Sequence, residues 1–248
     1  MNRYGTLDLA AYPATTVQSL ADAPVVLKGV RILDLRTEID TASADRLIPS
    51  SLHPAIPCFG VLSVMSVADS PFGPFNLADV RVGVRVGGMP SLFVVGAICD
   101  SAPAREALAG RWGLPVGAGR VALRETYHQL SATADVEGRT ALAISLGRRQ
   151  PLPGTRLAVP SLISLVRQGP GGGLVLLNTP IEMIYGQVDG GRQEVHAYDG
   201  ALFNTGELFR PTFPMSATTG LAEITLAAPD CTIDPEVAAE ESLQSIAA

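Results

Sequence analysis

The segment RWGLPVGAGR, residues 111–120, decides the fold prediction because it has the features of a loop that presents side chains. An alanine-rich segment typical of a helix precedes it, and alternating apolar residues typical of a strand follow it. The preceding helix is expected to end at Gly110, and the proline of the Trp-Gly-x-Pro sequence restricts the backbone of the loop. The next two side chains are those of Val116 and Gly117, so the loop presents no reactive group.

The rest of the chain predicts a mainly β fold. Segments with apolar side chains at every second position, or with short β-branched runs, recur along the sequence between turns rich in Gly and Pro. The candidate strands are 25–39, 61–67, 79–86, 91–99, 173–180 and 220–228, and the candidate turns are 87–90, 136–139, 169–173 and 189–192. With neither an internal repeat nor a linker, residues 1–248 are predicted to form a single domain. Its acidic end, residues 234–248, is expected to be a frayed helix or a disordered tail.

Two short helices are predicted between these strands. The first, at 40–49, has Asp40 or Thr41 as its N-cap, and the second, at 101–111, follows the N-cap Ser101. Side-chain oxygens at these positions can accept a hydrogen bond from the first free backbone N–H groups of a helix.

The composition limits the class of partner. The chain has 248 residues, a formal net charge of −6 and no run of Lys or Arg, which argues against nucleic acid and against an anionic membrane surface. Its longest apolar runs, such as 93–99, are far shorter than the roughly 18–20 residues of a membrane-spanning helix. We therefore expect a small-molecule partner, no nucleic acid and no membrane.

Cysteine and histidine usage favours a reducing compartment without a metal site. Cys58, Cys99 and Cys231 are scattered, and the first residues lack the apolar segment of a secretion signal, so a cytoplasmic location is expected. His53 and His196 do not stand at metal-ligand spacing. The glycine clusters lack the lysine and the following helix of a phosphate loop. We therefore expect neither a metal nor a cofactor.

Nearly all the basic residues are arginine, since Lys28 is the one lysine among 18 basic residues. An arginine guanidinium does not form a Schiff base and hardly ever releases its proton. Covalent chemistry of a side-chain amine is therefore limited to Lys28.

The loop and three further segments resemble the acetoacetate decarboxylase superfamily. In that superfamily an aromatic-x-x-Pro-Lys-Lys segment carries the lysine that forms the Schiff base and a second lysine that lowers its pKa. Segments 35–54, 70–77 and 160–180 are similar to its Arg-Thr-Asp segment, its Gly-x-Tyr-x-Glu turn and its Pro-x-Leu strand. The resemblance implies a mainly β (α+β) fold, a closed, cone-like antiparallel β-barrel with a few short helices, and a homo-oligomer.

Most of the superfamily's functional groups are missing from the matching positions. Val116 and Gly117 stand where the resemblance places the two lysines, and Leu77 stands where it places a glutamate. Arg36 matches the arginine associated with the substrate carboxylate. Loss of three ionisable groups predicts a larger, more apolar cavity that suits a bulky hydrophobic substrate. The candidate substrate-binding residues are Phe75, Leu77, Trp112 and Val116.

Three residues are candidate catalytic groups. Arg36 lies in an alternating strand with Asp34 and Glu38 on the same face, so it is either an anchor for a substrate oxygen or part of a solvated row of charges. The strand predicted after the loop carries Tyr127 and His128, either of which could act as a general acid or orient a carbonyl group. The alternative for this strand is an exposed edge or a hydrogen-bonded core tyrosine.

Three hypotheses for function follow. The first is a lysine-independent enzyme of polyketide-like secondary metabolism that folds a hydrophobic carbonyl substrate in the cavity and promotes its cyclisation, isomerisation or dehydration. A pericyclic closure would need only the correct orientation of the reacting ends. The second is a non-catalytic small-molecule binding protein on the same fold. The third is a decarboxylase that uses Lys28 as its amine.

Overall fold

Alternating apolar and polar residues build most of the described chain into a single β-sheet. The computed structural model describes residues 4–153, 159–169 and 171–237. All six strands predicted from the alternation form, and further strands lie between them. The two predicted helices also form, each slightly displaced from its predicted bounds.

In chain order, the strands are β1 (Thr15–Val17), β2 (Val25–Glu38), β3 (His53–Pro54), β4 (Phe59–Val67), β5 (Phe75–Val86), β6 (Met89–Cys99), β7 (Val116–Ala118), β8 (Arg120–Glu125), β9 (Gln129–Val136), β10 (Arg139–Pro151), β11 (Ser161–Gln168), β12 (Leu174–Thr179), β13 (Ile181–Tyr198), β14 (Pro214–Leu226) and β15 (Cys231–Ile233). The helices are α1 (Thr41–Leu47) and α2 (Ala102–Trp112), and a 3-10 turn covers Gly200–Phe203.

The sheet is antiparallel over most of its length, and it is not closed. Its strand order is β15-β12-β11-β6-β5-β4-β2-β14-β13-β10-β9-β8, with β1 beside β11, β3 beside β5 and β7 beside β6. The path ends at β15 and β8, and no pairing between described strands joins those ends, so the predicted closed, cone-like barrel is wrong. The sheet instead bends until β8 packs across β4, β5 and β6. Side-chain packing therefore encloses the interior where a barrel would use a continuous ring of hydrogen bonds.

Alternation along the central strands divides the interior into two cores. Leu33 and Leu35 of β2 face the first core, which β8, β9 and β10 cover. Ile32 of the same strand and Val61 of β4 face the second core. The opposite faces of β2, β4, β5 and β6 thus serve different cores, and α2, β13 and β14 cover the second. The candidate site lies on the side of the second core.

The helix before the loop continues past the exit predicted at Gly110 and ends at Trp112. Gly113 has a left-handed φ of 67°, and its N–H donates to the carbonyl oxygen of Ala109, a conformation that glycine adopts without strain. Trp112 is buried; its indole Nε1 donates to the carbonyl oxygen of Ala227 at 2.8 Å, and its ring lies edge-on to that of Phe72. These contacts fix the end of α2 against the sheet.

The two helices begin differently. Asp40 is the N-cap of α1, where its carboxylate accepts a hydrogen bond from the backbone N–H of Ser43 at 2.9 Å. Ser101 precedes α2 without a capping hydrogen bond from its side chain. The predicted N-cap is therefore correct in position for both helices, with Asp40 rather than Thr41 at the first.

Two local predictions are wrong. The turn predicted at 189–192 is an internal part of β13, which passes there from pairing with β14 to pairing with β10. The strand predicted at 124–130 is a hairpin: β8 ends at Glu125, and the next three residues, including Tyr127 and His128, turn into β9.

The two chain ends are only partly described. Of the predicted C-terminal tail, residues 238–248 lie outside the described residues. The earlier part is held to the fold, since the hydroxyl of Ser50 donates to the carbonyl oxygen of Pro235 at 3.1 Å. Neither α1 nor α2 has the length and hydropathy to cross a bilayer. The single domain, the homo-oligomer and the cytoplasmic location stay predictions.

Candidate functional site

Strand β5 forms one wall of the candidate site. Its side chains Phe75, Leu77, Asp79 and Arg81 are all buried. Every second residue of a strand points to the same face of the sheet. A change from apolar to charged residues along the sequence therefore becomes a change in polarity along this wall.

The apolar end of the wall borders a small cavity, here called the apolar cavity. Its volume is about 30 Å³, roughly the room for one water-sized molecule. Its lining is almost entirely Leu, Ile, Val, Met and Phe side chains: Leu27, Met65, Phe75, Leu77, Val94, Leu108, Leu114, Leu162, Ile181, Met183, Ile224 and Leu226, joined by Ala97, Asp79 and Arg81. A space of this size does not hold the bulky substrate expected from the sequence; Leu77 and Leu114 are among the side chains that line it.

The charged end of the wall borders a second, larger cavity, here called the polar cavity. Its volume is about 260 Å³. Strands β2, β4, β5, β6, β13 and β14 and the segment before β11 line it through Asp34, Arg36, Val61, Arg81, Leu92, Val159, Pro160, Met183, Tyr185, Ser216 and Thr218. Arg81 and Met183 line both cavities, so the polar and apolar cavities adjoin at these two side chains.

A buried ion pair lies where the two cavities meet. Arg81 Nη2 donates to Asp79 Oδ2 at 2.7 Å, and Arg81 Nε lies 2.6 Å from Asp79 Oδ1. Burial raises the pKa of Asp79, against the opposing effect of the Arg81 charge. Burial alone would lower the pKa of Arg81, but the Asp79 carboxylate, aided by Asp34, raises it. The guanidinium is therefore a fixed cation at the floor of the polar cavity.

A row of polar side chains crosses the sheet beside this pair. In register, Thr218 of β14 lies beside Asp34 of β2, which lies beside Ser63 of β4, which lies beside Asp79 of β5. Paired residues on adjacent antiparallel strands bring their Cβ atoms to roughly 4.5–5.5 Å. Asp34 Oδ1 and Ser63 Oγ are buried and have no hydrogen-bond partner among the described residues. Unpaired buried oxygens of this kind are uncommon and point to a ligand or solvent.

Arg36 stands at the outer edge of the polar cavity. It lies two residues after Asp34 on the same face of β2 and lines the polar cavity with it. Its guanidinium lies 5.7 Å from the centre of the Phe59 ring, within the range of a cation–π contact. The backbone carbonyl of Arg36 accepts a hydrogen bond from Gln193 at 2.9 Å, which ties β2 to β13 at this point.

Tyr185 closes the polar cavity from the side of β13. Burial raises the pKa of Tyr185; the charge of Asp34 adds to this effect, and the charges of Arg81 and Arg36 oppose it. The phenol therefore stays protonated near neutral pH. Its O–H points to Met183 Sδ at 3.5 Å, a weak acceptor, so it can donate to a ligand oxygen at small cost.

The candidate substrate-binding residues occupy different places. Phe75 and Leu77 line the apolar cavity. Trp112 lines neither cavity and packs as a core residue at the end of α2. Val116 is partly buried against the second core, but the loop residue that lines the apolar cavity is Leu114. The loop thus presents Leu114 to the interior, two residues before the position predicted.

Two candidate catalytic residues and the one lysine lie away from the polar cavity. The side chains of Tyr127 and His128 stack edge-to-face in the turn between β8 and β9, and Tyr127 is 93% exposed. Lys28 is exposed, and its backbone pairs with that of Asp69. Its neighbour Leu27 points into the apolar cavity. Of the predicted catalytic groups, Arg36 alone lines the polar cavity.

The sequence matches a known family over most of its length. A model of the acetoacetate decarboxylase (ADC) family matches residues 11–182. This range includes strands β2 and β5, which carry Asp34, Arg36 and Arg81. The chain belongs to the acetoacetate decarboxylase family. A search of curated proteins with this sequence finds no significant match.

Solved structures related to this family share the fold at low sequence identity. An acetoacetate decarboxylase matches with a TM-score of 0.72 and 14% identity over 87% of this chain and 91% of that chain. The acetoacetate decarboxylase from Legionella pneumophila subsp. pneumophila str. Philadelphia 1 matches with 0.71 and 15% over 86% and 88%. The enduracididine biosynthesis enzyme MppR, complexed with the condensation product of pyruvate and imidazole 4-carboxaldehyde, matches with 0.69 and 15% over 84% and 88%. At these identities the likeness shows the fold.

Three polar groups of the site, those of Asp79, Arg81 and Tyr185, were not among the residues predicted from the sequence. Asp79 and Arg81 follow Leu77 at every second position, so the alternation already placed these charges on one face with apolar residues. Tyr185 alternates in the same way with Met183 on β13. Within the described ranges, no three or more His, Cys, Asp or Glu side chains group as metal ligands would.

Proposed function

We propose that this protein is a lysine-independent enzyme that moves a proton next to a carbonyl group of its substrate and thereby isomerises, dehydrates or cyclises it. One observation carries the proposal. Asp34, Tyr185 and Arg36 border the same cavity, so a carboxylate, a protonated phenol and a guanidinium face one small space. This is the set of groups that proton abstraction beside a carbonyl needs.

Asp34 is the proposed general base. Its Oδ1 has no hydrogen-bond partner among the described residues, so it has an acceptor position free for a substrate proton. Arg81 holds its short contacts with Asp79. Asp34 is therefore the carboxylate of the row that is not taken up by an ion pair.

Tyr185 and Arg36 are the proposed stabilisers of the substrate oxygen. When a proton leaves the carbon next to a carbonyl group, negative charge develops on the carbonyl oxygen. A phenol O–H and a guanidinium aimed at that oxygen stabilise the charge in the transition state. The raised pKa of Tyr185 keeps the phenol in the donating form.

The proposed step is balanced without any other reactant. The proton passes from the α-carbon to the Asp34 carboxylate, and the electron pair of the C–H bond becomes the enolate. Return of the proton to a different carbon isomerises the substrate. Departure of a β-hydroxyl together with the proton held by Asp34 releases water and dehydrates the substrate. Attack of the enolate on a second carbonyl group of the same molecule, whose oxygen takes up that proton, cyclises it.

The size of the polar cavity favours a small substrate. Its volume of about 260 Å³ lies below the roughly 300–1,000 Å³ of typical sites for drug-sized ligands. Arg36 and Arg81 favour a carboxylate or a carbonyl oxygen, and the adjoining apolar cavity favours a short hydrocarbon group. A small carbonyl acid therefore fits better than the bulky, polyketide-like molecule expected from the sequence.

A fold-related enzyme supports a small carbonyl acid as the substrate, and the position of Lys28 disfavours a reaction through a lysine amine. The fold-related enzyme MppR is described in complex with pyruvate and with a condensation product of pyruvate. The fold can therefore hold a small carbonyl acid. A decarboxylase that uses Lys28 is disfavoured, because that side chain is exposed and lines neither cavity.

Hydrogen–deuterium exchange tests the proposal without knowledge of the natural substrate. The protein is incubated with 2-oxobutyrate in D₂O, and loss of the proton NMR signal of the methylene group beside the carbonyl is followed. We expect enzyme-dependent exchange that Asp34→Asn abolishes and that Arg36→Leu slows by about tenfold or more.

Matched variants separate a specific effect from a general one. Asp69→Asn changes an exposed aspartate that pairs with Lys28 through its backbone, and Arg124→Leu removes an exposed arginine of β8. Both should exchange at the wild-type rate. Binding of 2-oxobutyrate without any exchange would instead identify a non-catalytic binding protein.

A further inference from the structure

A second large depression, here called the outer groove, lies beyond the polar cavity. Its volume is about 630 Å³. Glu38, His53, Ile56, Pro57 and Arg85 are among its lining residues. Ile56 is 83% exposed on its rim, so the outer groove has both apolar and charged surface.

The outer groove continues the wall of the polar cavity. Arg85 follows Arg81 by four residues on β5, so both side chains belong to the same face of the strand. The short strand β3 pairs with β5 where β4 has ended, which puts His53 beside Arg85. On β2, Glu38 follows Arg36 by two residues and also lines the groove.

Phe59 lies between the polar cavity and the outer groove. Its ring rests on Gly83, where a Cβ atom would come within 2.4 Å of the ring carbon Cε1. Glycine at this position therefore lets the ring lie flat against β5. The other neighbour of the ring is the Arg36 guanidinium, at 5.7 Å. A flat aromatic surface thus bridges the two spaces.

Arg85 is a cation without a partner among the described residues. Its side chain forms no ion pair or hydrogen bond with a described residue, and its Nε is buried without an acceptor. The acidic residue of the groove, Glu38, belongs to β2 and is paired with Phe59 of β4, which leaves it two strands, or roughly 10 Å, from β5. The end of the groove at Arg85 is therefore suited to an anion.

We propose that the outer groove is a second subsite of the substrate, in which Arg85 binds an anionic group at the far end of a chain whose carbonyl head lies at Arg36. This inference rests on the function proposed above and specifies its substrate class: the small carbonyl group held in the polar cavity is the head of a linear compound that carries a distal carboxylate or similar anion. The chain crosses the Phe59 ring and the apolar rim at Ile56.

Strand geometry sets the length of such a substrate. Arg36 is level with Arg81 across the sheet, because Arg36 pairs with Val61 and Val61 pairs with Arg81. At a rise of roughly 3.3 Å per residue, a chain from this level to Arg85 spans at least roughly 13 Å along the strand direction. A short diacid such as succinate cannot span this distance. Sebacate, whose terminal carboxylates lie roughly that far apart when its chain is extended, can.

Calorimetric titration with matched ligands tests the subsite. Sebacate and decanoate have the same chain length and differ in the second carboxylate, so their affinity ratio isolates the distal charge. We expect the wild-type protein to bind sebacate at least about tenfold more tightly than decanoate, since hydrogen bonds to charged groups have this strength. Arg85→Gln should bring the ratio to about one, and Arg85→Lys should retain part of it.

Controls make each result decisive. Arg124→Gln, an exposed arginine on β8, should keep the wild-type ratio, and Arg36→Leu should weaken both ligands alike. A wild-type ratio near one, or a high ratio that survives in Arg85→Gln, would overturn the subsite. These measurements are independent of turnover, so a failure of the exchange experiment with Asp34 is distinguishable from a failure here.

Discussion

Asp79 and Arg81 are two residues apart on β5 and form an ion pair with both side chains almost completely buried. Removing a single partner of such a pair leaves an uncompensated charge in a medium of low dielectric constant. The pair therefore stabilises the fold only as a unit. Its position between the two cavities also fixes the direction of the Arg81 guanidinium.

We expect Asp79→Leu to lower the free energy of unfolding by about 3–5 kcal/mol, because it strands Arg81 without its partner. The double variant Asp79→Leu/Arg81→Leu should lose less than the sum of the two single variants. Urea unfolding of all three and of Asp69→Asn, an exposed control, measures the difference. Additive effects of the two single changes would show that the residues do not act as a pair.

Stability should fall at alkaline pH through the buried tyrosines. Burial raises the pKa of Tyr12, Tyr185 and Tyr198 above the usual value of 10.0. The native state therefore keeps protons that the unfolded chain releases. The contribution is complete below pH 10.0 and is lost as the pH rises above it, by about 1.4 kcal/mol per pH unit for each proton.

Tyr185→Phe isolates one of these groups. Between about pH 9 and about pH 11, the free energy of unfolding measured with urea should fall less steeply with pH for Tyr185→Phe than for the wild-type protein. The difference in slope should correspond to one proton. Tyr127→Phe, in the exposed turn after β8, is the control and should leave the slope unchanged. An identical slope for Tyr185→Phe would mean that this phenol titrates normally in the fold.

No imine should form with carbonyl compounds. Lys28 is exposed and lines neither cavity, so its amine lies away from the space that would hold a carbonyl substrate. After incubation with acetoacetate and borohydride, intact-mass measurement should find no adduct. Val116→Lys should not release carbon dioxide from acetoacetate, because the loop residue that lines the apolar cavity is Leu114. A stable adduct on Lys28 would restore the decarboxylase hypothesis.

Leu77→Ala should open the apolar cavity. Truncating a buried leucine costs about 2–5 kcal/mol and leaves space that small apolar molecules can enter. We therefore expect benzene to raise the Tm of Leu77→Ala and to leave that of the wild-type protein unchanged. Leu221→Ala, at a half-exposed leucine of β14, should have little effect on stability and gain no binding. Benzene binding by the wild-type protein would show that the apolar cavity is already larger.

Local patterns in the sequence were enough to predict most strands but not how the sheet ends meet. The alternation of apolar and polar residues predicts strand β2 and also the face of that strand on which Arg36 lies. Closure depends on the pairing of β8 and β15, which are far apart in sequence, so no local pattern reports it. The turn predicted at 189–192 is wrong for a related reason. Its glycines have the composition of a turn, but pairing with two different strands, β14 and then β10, keeps this part of β13 extended.

The site was only partly predictable. Phe75, Leu77 and Arg36 were named from the resemblance, and all three line a cavity. Trp112 was named because of its place in the loop sequence, but packing against the sheet decided its role. The cavity volume could not be predicted from the sequence, because it depends on how leucines from four or more elements pack in a shared space.

The order of side chains along β5 has a consequence for hydration. Moving inward from solvent, a ligand would meet Arg85 first, then Arg81, then Asp79, then Leu77 and Phe75. It would exchange its water shell for protein contacts in stages: first at a lone guanidinium, then at a neutralised pair, and finally at hydrocarbon. A molecule that is ionic throughout could complete only the first stage, and a pure hydrocarbon would gain nothing until the last. With the subsite proposed above, the strand would form a solvation gradient that favours molecules whose polarity changes from one end to the other.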